Sequence, residues 1–224
     1  MSLILKAITL FVILGAIFFG STFPRAPFLL VESWIYPTPL IEELAKTNLE
    51  NQSLRAEISR LTLGLKPSSE QLLKARIYSG HPFNDKSLIV LAKGASDGIG
   101  VGDIVLAARN IFLGQVVSVG DSWSEVRTVF DISKNIPVRI GINGVVALLI
   151  GGSAPIISMI DKSRAVANHD LVYLASRDLP YGLVVGEIGN IKEPSIGAFK
   201  QADVLLPYSL LSIEEVLVTL KSSQ

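Results

Sequence analysis

Residues Gly94–Gly120 read GASDGIGVGDIVLAARNIFLGQVVSVG, and the reading of this stretch decides the fold. Gly98, Gly100 and Gly102 have the spacing of a dinucleotide-binding loop. Such a loop must follow a strand and open a helix, so that the phosphates meet the helix N-terminus. Here the glycines run into Asp103-Ile104-Val105-Leu106, a β-branched, apolar run that favours a strand. Gly98 and Gly102 are therefore read as turn residues that need positive φ, and no cofactor is expected.

The same texture continues on both sides. From Ala75 onward, short runs of Val, Ile and Leu are punctuated by Gly, Asp, Asn and Pro. The predicted strands cover residues 72–78, 88–92, 104–108, 114–119, 125–128, 137–142, 144–150, 154–160, 171–175, 182–191, 199–205 and 214–219. Short strands at close, regular spacing indicate closed or sandwiched antiparallel sheets. The expected fold is mainly β, with two small six-stranded barrels over 72–142 and 143–220 that either follow one another or share strands. Gly114, Gly144 and Gly186 punctuate these strands. Pro180 and Gly182 flank Tyr181 in a tight turn, and Pro137 opens a strand where its missing N–H is least costly.

The N-terminal part has two other textures. Residues from Leu3 to Phe23 are apolar apart from Lys6, some hydroxyls and two glycines. A run of roughly 20 residues at 1.5 Å each spans the hydrocarbon core. Residues 1–25 are expected to form a short cytoplasmic tail and a membrane anchor, N-terminus inside, with the bulk extracytoplasmic. Ser21-Thr22-Phe23-Pro24 is a poor cleavage site, which argues against a signal peptide. After a linker over 26–39, residues 40–66 carry a heptad pattern. Leu44, Asn51, Ile58 and Leu65 take a; Leu40, Thr47, Leu54 and Leu61 take d. Asn51 at a fixes register between parallel helices, and Glu50 at g complements Arg55 at e. A homodimer through Leu44, Asn51, Leu54, Ile58, Leu61 and Leu65 is expected; the competing reading is an amphipathic helix folded back on its own domain.

Totals exclude several functions. The chain has 224 residues, 20 basic and 20 acidic side chains and no cysteine. A balanced charge offers no field to gather nucleic acid, and thiol chemistry is impossible. Gly120-Asp121-Ser122 resembles a chymotrypsin-like nucleophile loop, but Trp123 stands where the oxyanion hole needs glycine. A triad would need His81, Asp103 and Ser122, and His81-Pro82 reads as a loop. His169-Asp170 is one pair without a second cluster, so no metal site is expected. Glu42-Glu43 and Glu214-Glu215 lie on solvent faces or element ends, without the burial that separates two pKa values. No catalytic residue is assigned.

The glycine-rich stretch is followed by Ser124-Glu125-Val126, Asp131 and Ile136-Pro137-Val138-Arg139, and then by Leu179-Pro180-Tyr181-Gly182-Leu183-Val184-Val185-Gly186. This ordered series resembles the rod shape-determining MreC family, from about Leu88 to the C-terminus. The resemblance implies a non-enzymatic, membrane-anchored scaffold of the cell-elongation machinery, maintaining cell shape by positioning peptidoglycan synthases. It implies protein partners: MreB, MreD and RodZ-like membrane proteins, and the elongation-specific penicillin-binding transpeptidase. An adaptor of a secretion or efflux assembly also combines anchor, coil and β-domains, but usually as a helical hairpin within a split lipoyl domain. A membrane-tethered protease is the third reading.

Overall fold

The structure is a computed structural model that describes residues 39–62, 71–78, 86–210 and 212–220. The expected anchor (1–25), all but the end of the linker, Leu65 and His81 lie outside the described residues. Among the described residues no helix is long and apolar enough to cross a membrane.

Helix α1 (Pro39–Thr62) begins with a proline, whose missing N–H costs nothing in a first turn. Glu42 follows in that turn, near the positive end of the helix dipole. The strands are β1 (Gln71–Arg76), β2 (Leu88–Leu91), β3 (Ile104–Ala108), β4 (Ile111–Val119), β5 (Ser124–Thr128) and β6 (Asn135–Ile140). They continue with β7 (Val145–Ile150), β8 (Ile156–Asp161), β9 (Leu171–Leu174), β10 (Val184–Lys192), β11 (Phe199–Leu205) and β12 (Glu215–Leu220). Each overlaps one strand predicted from alternation.

All twelve strands belong to one continuous sheet. One ring runs β1–β12–β3–β4–β5–β2 and closes through the Ile77–Leu91 bridge. The other runs β6–β7–β8–β11–β10–β9 and returns to β6. A parallel contact between Val184 of β10 and Ile111 of β4 joins them. The pairing does not divide at 142/143. Strand β6 pairs in the second ring, and β12 comes back to fill the gap between β1 and β3. Closing both rings in this way leaves few unpaired edges, which is the physical reason for the return.

Alternation places the cores. In β6, Ile136, Val138 and Ile140 point inward while Asn135, Pro137 and Arg139 point out. They meet Leu149, Ile157, Ile160, Leu174 and Ile188 in one apolar cluster. Leu91, Val105, Leu113, Val116, Val126 and Val218 form the other. Burying each such side chain contributes roughly 1.5–3 kcal/mol.

Two local readings change. Strand β4 starts at Ile111 rather than Gly114, because Arg109-Asn110 makes a two-residue turn with Asn110 at φ 66°. Asparagine tolerates that left-handed conformation and suits this turn. Pro137 is the third residue of β6, not its first; its carbonyl accepts from the Ala175 N–H (3.0 Å). A strand residue's N–H and C=O point the same way, so the missing N–H faces the end of the β6–β9 ladder. The glycine-rich stretch of 94–102 is tied by two aspartates: Asp97 Oδ2 accepts from Gly94 N–H (3.2 Å) and Asp103 Oδ2 from Gly100 N–H (2.8 Å). Its donors are thus satisfied within the chain before β3 begins.

The turn between β5 and β6 gives a pH dependence. Desolvation pushes the Asp131 carboxyl up, but the Ser133 N–H (2.8 Å), the Ser133 hydroxyl and Arg127 (Nε, 2.8 Å) together hold it below the usual aspartate value. A depressed folded-state pKa adds stability above the unfolded value of 3.8 and loses it as pH falls through the folded value. Asp131→Asn is therefore expected to destabilise the fold at pH 7 by up to about 1 kcal/mol, as for a partly exposed pair, and so to lower the melting temperature. The difference should close below about pH 4. Equal deficits at both pH values, by calorimetry, would remove the ionic explanation.

Candidate partner-binding surface

Helix α1 has two opposed faces. Leu49, Gln52, Ser53, Ala56 and Glu57 recur at three- and four-residue steps and are half-buried or buried, Ala56 at 0 % exposure. The predicted seam lies on the other side. Leu44 (61 %), Leu54 (59 %), Ile58 (64 %) and Leu61 (61 %) are exposed, as are Asn51 and Thr47. The fold-back and heptad readings thus occupy different sides of one helix. The side that packs on the β-structure is the b, c, f and g side, so the a/d stripe remains outward.

Polar contacts hold the packed side. The Ser53 hydroxyl donates to the Arg109 carbonyl (2.8 Å), and the Asn110 amide donates to the Glu57 carboxylate, both in the β3–β4 turn. Arg55 Nη1 lies 3.7 Å from Glu187 Oε1 of β10, and His169 Nδ1 lies 2.9 Å from Glu187 Oε2. The Glu187 side chain is 7 % exposed and is shared by the helix and the 168–169 turn. Arg55, read from sequence as a partner for Glu50 of another helix, therefore already has a carboxylate beside it. Apart from Arg55, none of these docking residues was singled out by the heptad. The signal available was small Ala56 and Ser53 among larger helix residues, aligned with Leu49.

The residues read as turns divide into two kinds. Gly98 (φ 89°), Gly102 (φ 92°), Gly144 (φ 58°) and Gly182 (φ 86°) occupy left-handed backbone. Gly114 and Gly186 instead permit close approach: a Cβ would lie 2.3 Å from the Arg127 carbonyl oxygen or 2.5 Å from that of Leu205. Pro180 precedes the Gly182 turn, where the Gly182 N–H donates to Leu174 O (3.0 Å). Asp121 and Ser122 form the bend before β5, and the Asp121 carbonyl accepts from Ser96 N–H (3.0 Å). Asp103, the other member of the conceivable triad, is buried at the Gly100 turn. Among the described residues no group of three His, Cys, Asp or Glu side chains could hold a metal ion.

The structure is thus a closed β core carrying one docked helix with an open apolar side. Residues 77–220 match the family described as "Rod shape-determining protein MreC, barrel core". That match spans more than half of the chain, and the chain belongs to the MreC family. No curated protein matches the sequence.

Solved structures agree with this fold. A structure of MreC from Listeria monocytogenes is 19% identical with a TM-score of 0.61, covering 82% of this chain and 93% of that one. One of MreC from Pseudomonas aeruginosa is 22% identical (TM-score 0.57), covering 67% of this chain and 99% of that one. MreC in a complex with penicillin-binding protein PBP2 from Helicobacter pylori is 16% identical (TM-score 0.51), covering 69% of this chain and 100% of its own. At these identities the likeness is one of fold.

Proposed function

We propose that this chain is a membrane-anchored scaffold of the wall-synthesis machinery that maintains cell shape by contact, without turnover. The observation that carries the reading is the MreC match over 77–220, on a chain whose helix leaves its apolar side open. The apolar run before Arg25 is the anchor, and Lys6 sets its N-terminus inside. The two strand rings work as two small barrels in the extracytoplasmic space. The transpeptidase is the partner that the Helicobacter pylori complex supports by analogy. MreB, MreD and RodZ-like proteins are the other partners that family membership brings.

Self-association belongs to the same proposal. Two copies pair in parallel through Leu44, Asn51, Leu54, Ile58 and Leu61, with Leu65 extending the seam. Each barrel core then sits on the outside of the pair, because it covers the helix side opposite the seam.

The test uses the full chain in cells lacking their own copy. Pull-down of the tagged chain should retain the elongation transpeptidase, and rod shape should be restored. Ser122→Ala should do both equally well, since Ser122 is read as a turn residue. Rounded cells with Ser122→Ala, despite an unchanged melting temperature and retained partners, would overturn the contact-only reading.

A further inference from the structure

The two turns that carry Gly144 and Gly182 face each other across a cleft that belongs to neither the helix seam nor its docked side. Its volume is about 140 Å³, and its lining comes from the 141–144 turn, Arg139, Tyr173 and the Tyr181-Gly182 turn. Three separate segments converge there.

The walls are held in place without a ligand. Gly141 N–H donates to Leu171 O (2.9 Å), Gly144 N–H to Gly141 O (3.2 Å), and Gly182 N–H to Leu174 O (3.0 Å). Tyr173 is 5 % exposed and fixed in β9, directly across from Arg139 of β6. The guanidinium of Arg139 lies over Gly144. A Cβ at 144 would stand 3.2 Å from Nη1 and 3.7 Å from Cδ, so the glycine keeps that space open for the cation. Gly144 is thus doubly required, by its φ and by the arginine above it.

The charge of the cleft is one-sided. Its lining contains one cation and no carboxylate. Arg139 forms no ion pair with any described residue. Asp170, which packs beneath Gly141, is turned to another donor, with Oδ2 accepting from Ala167 N–H (2.8 Å). Two lining residues are apolar-bodied and strongly exposed, Ile142 (83 %) and Tyr181 (51 %), and exposed Val146 (66 %) stands across from Arg139 on β7.

We propose that this cleft is a carboxylate-binding site that receives an acidic side chain from an extended, otherwise apolar segment of a partner protein. Arg139 presents a planar fork to the carboxylate, the geometry at which arginine outperforms lysine. The volume admits a carboxylate with its methylene stem. Ile142 and Val146 then cover the residues beside the acid, and Tyr181 closes one side with an amphipathic ring. The site rests on its own geometry, so it stands or fails separately from the helix pairing and from the identity of the transpeptidase.

The experiment uses the purified full chain in detergent and an array of pentapeptides. Their central residue is Glu, Asp, Gln or Asn, flanked by Val, Ile, Leu or Tyr. Acidic centres should bind roughly tenfold or more tightly than their amides, with a preference that falls as salt screens the charge. Arg139→Lys should reduce that preference several-fold, and Arg139→Met should erase it. Both variants replace an outward-facing residue and should keep the melting temperature. Gly144→Ala, which crowds the guanidinium, should act in the same direction. Equal binding of acids and amides, unchanged binding by Arg139→Met, or no binding at all would overturn the site. If free glutarate competed as well as the best peptide, the apolar rim would contribute nothing, and the partner-segment assignment would fall.

Discussion

Ile58→Glu is expected to abolish self-association of the full chain while leaving its β core folded. Ile58 lies near the middle of the outward stripe formed by Leu44, Asn51, Leu54 and Leu61. In a parallel pair it meets its own copy, so the change sets two carboxylates against each other in the seam. It also removes two buried isoleucines, each worth roughly 1.5–3 kcal/mol. Together these costs are roughly 3 kcal/mol or more per dimer, which is about a hundredfold or more in dissociation constant. Mass measurement in detergent across a concentration series reads this directly. Unchanged mass with unchanged melting would exclude this stripe as the interface. A large loss of melting temperature would show that the stripe faces the chain's own core, contrary to its exposure.

Gly114→Val should be strongly damaging to the β-structure. The added Cβ would stand 2.3 Å from the Arg127 carbonyl oxygen and 3.0 Å from the Thr128 Cα. Those are backbone atoms of β5, paired to β4 on one side and β2 on the other, so no flexible side chain can move aside. Overpacking of this kind costs roughly 3 kcal/mol. For a chain of this size that lowers the melting temperature by roughly 6–12 °C. Gly100→Ala is the control, because its Cβ would find only Asp103 Oδ2 at 3.9 Å. If both variants melted alike, crowding at β5 would not be the cause.

Alternation made the strands legible. Each residue of β6 faces where its hydropathy sends it, whereas along β7 the alternation survives in the burial but leaves Val146 exposed. The helix's apolar stripe was legible for a related reason: such a stripe at seven-residue spacing is readable whether or not anything covers it. What could not be read were relations between distant segments. Nothing in Glu215–Leu220 announces that it pairs with β1 and β3. The docked side of the helix rests on Asn110 and Glu187, two polar residues from different strands or turns. The Arg139 cleft escaped for the same reason. Gly144 and Gly182 were read singly as turns, and only the closed second ring brings them beside Arg139 and Tyr173.

Strand β12 carries a consequence for how the chain is made. Gln71 pairs with Leu220 and Thr219 with Ile104, so the earliest strand of the first ring waits for the latest one. Until Leu220 has been synthesised, β1 and β3 each have an open edge, and the first core is short of Val216 and Val218. Bringing such remote partners together carries a loop-closure cost and makes folding slow. Premature termination before β12 would leave exposed strand edges, the state most prone to aggregation and proteolysis. Completion of the first ring thus waits on the pairing of β12 with both β1 and β3.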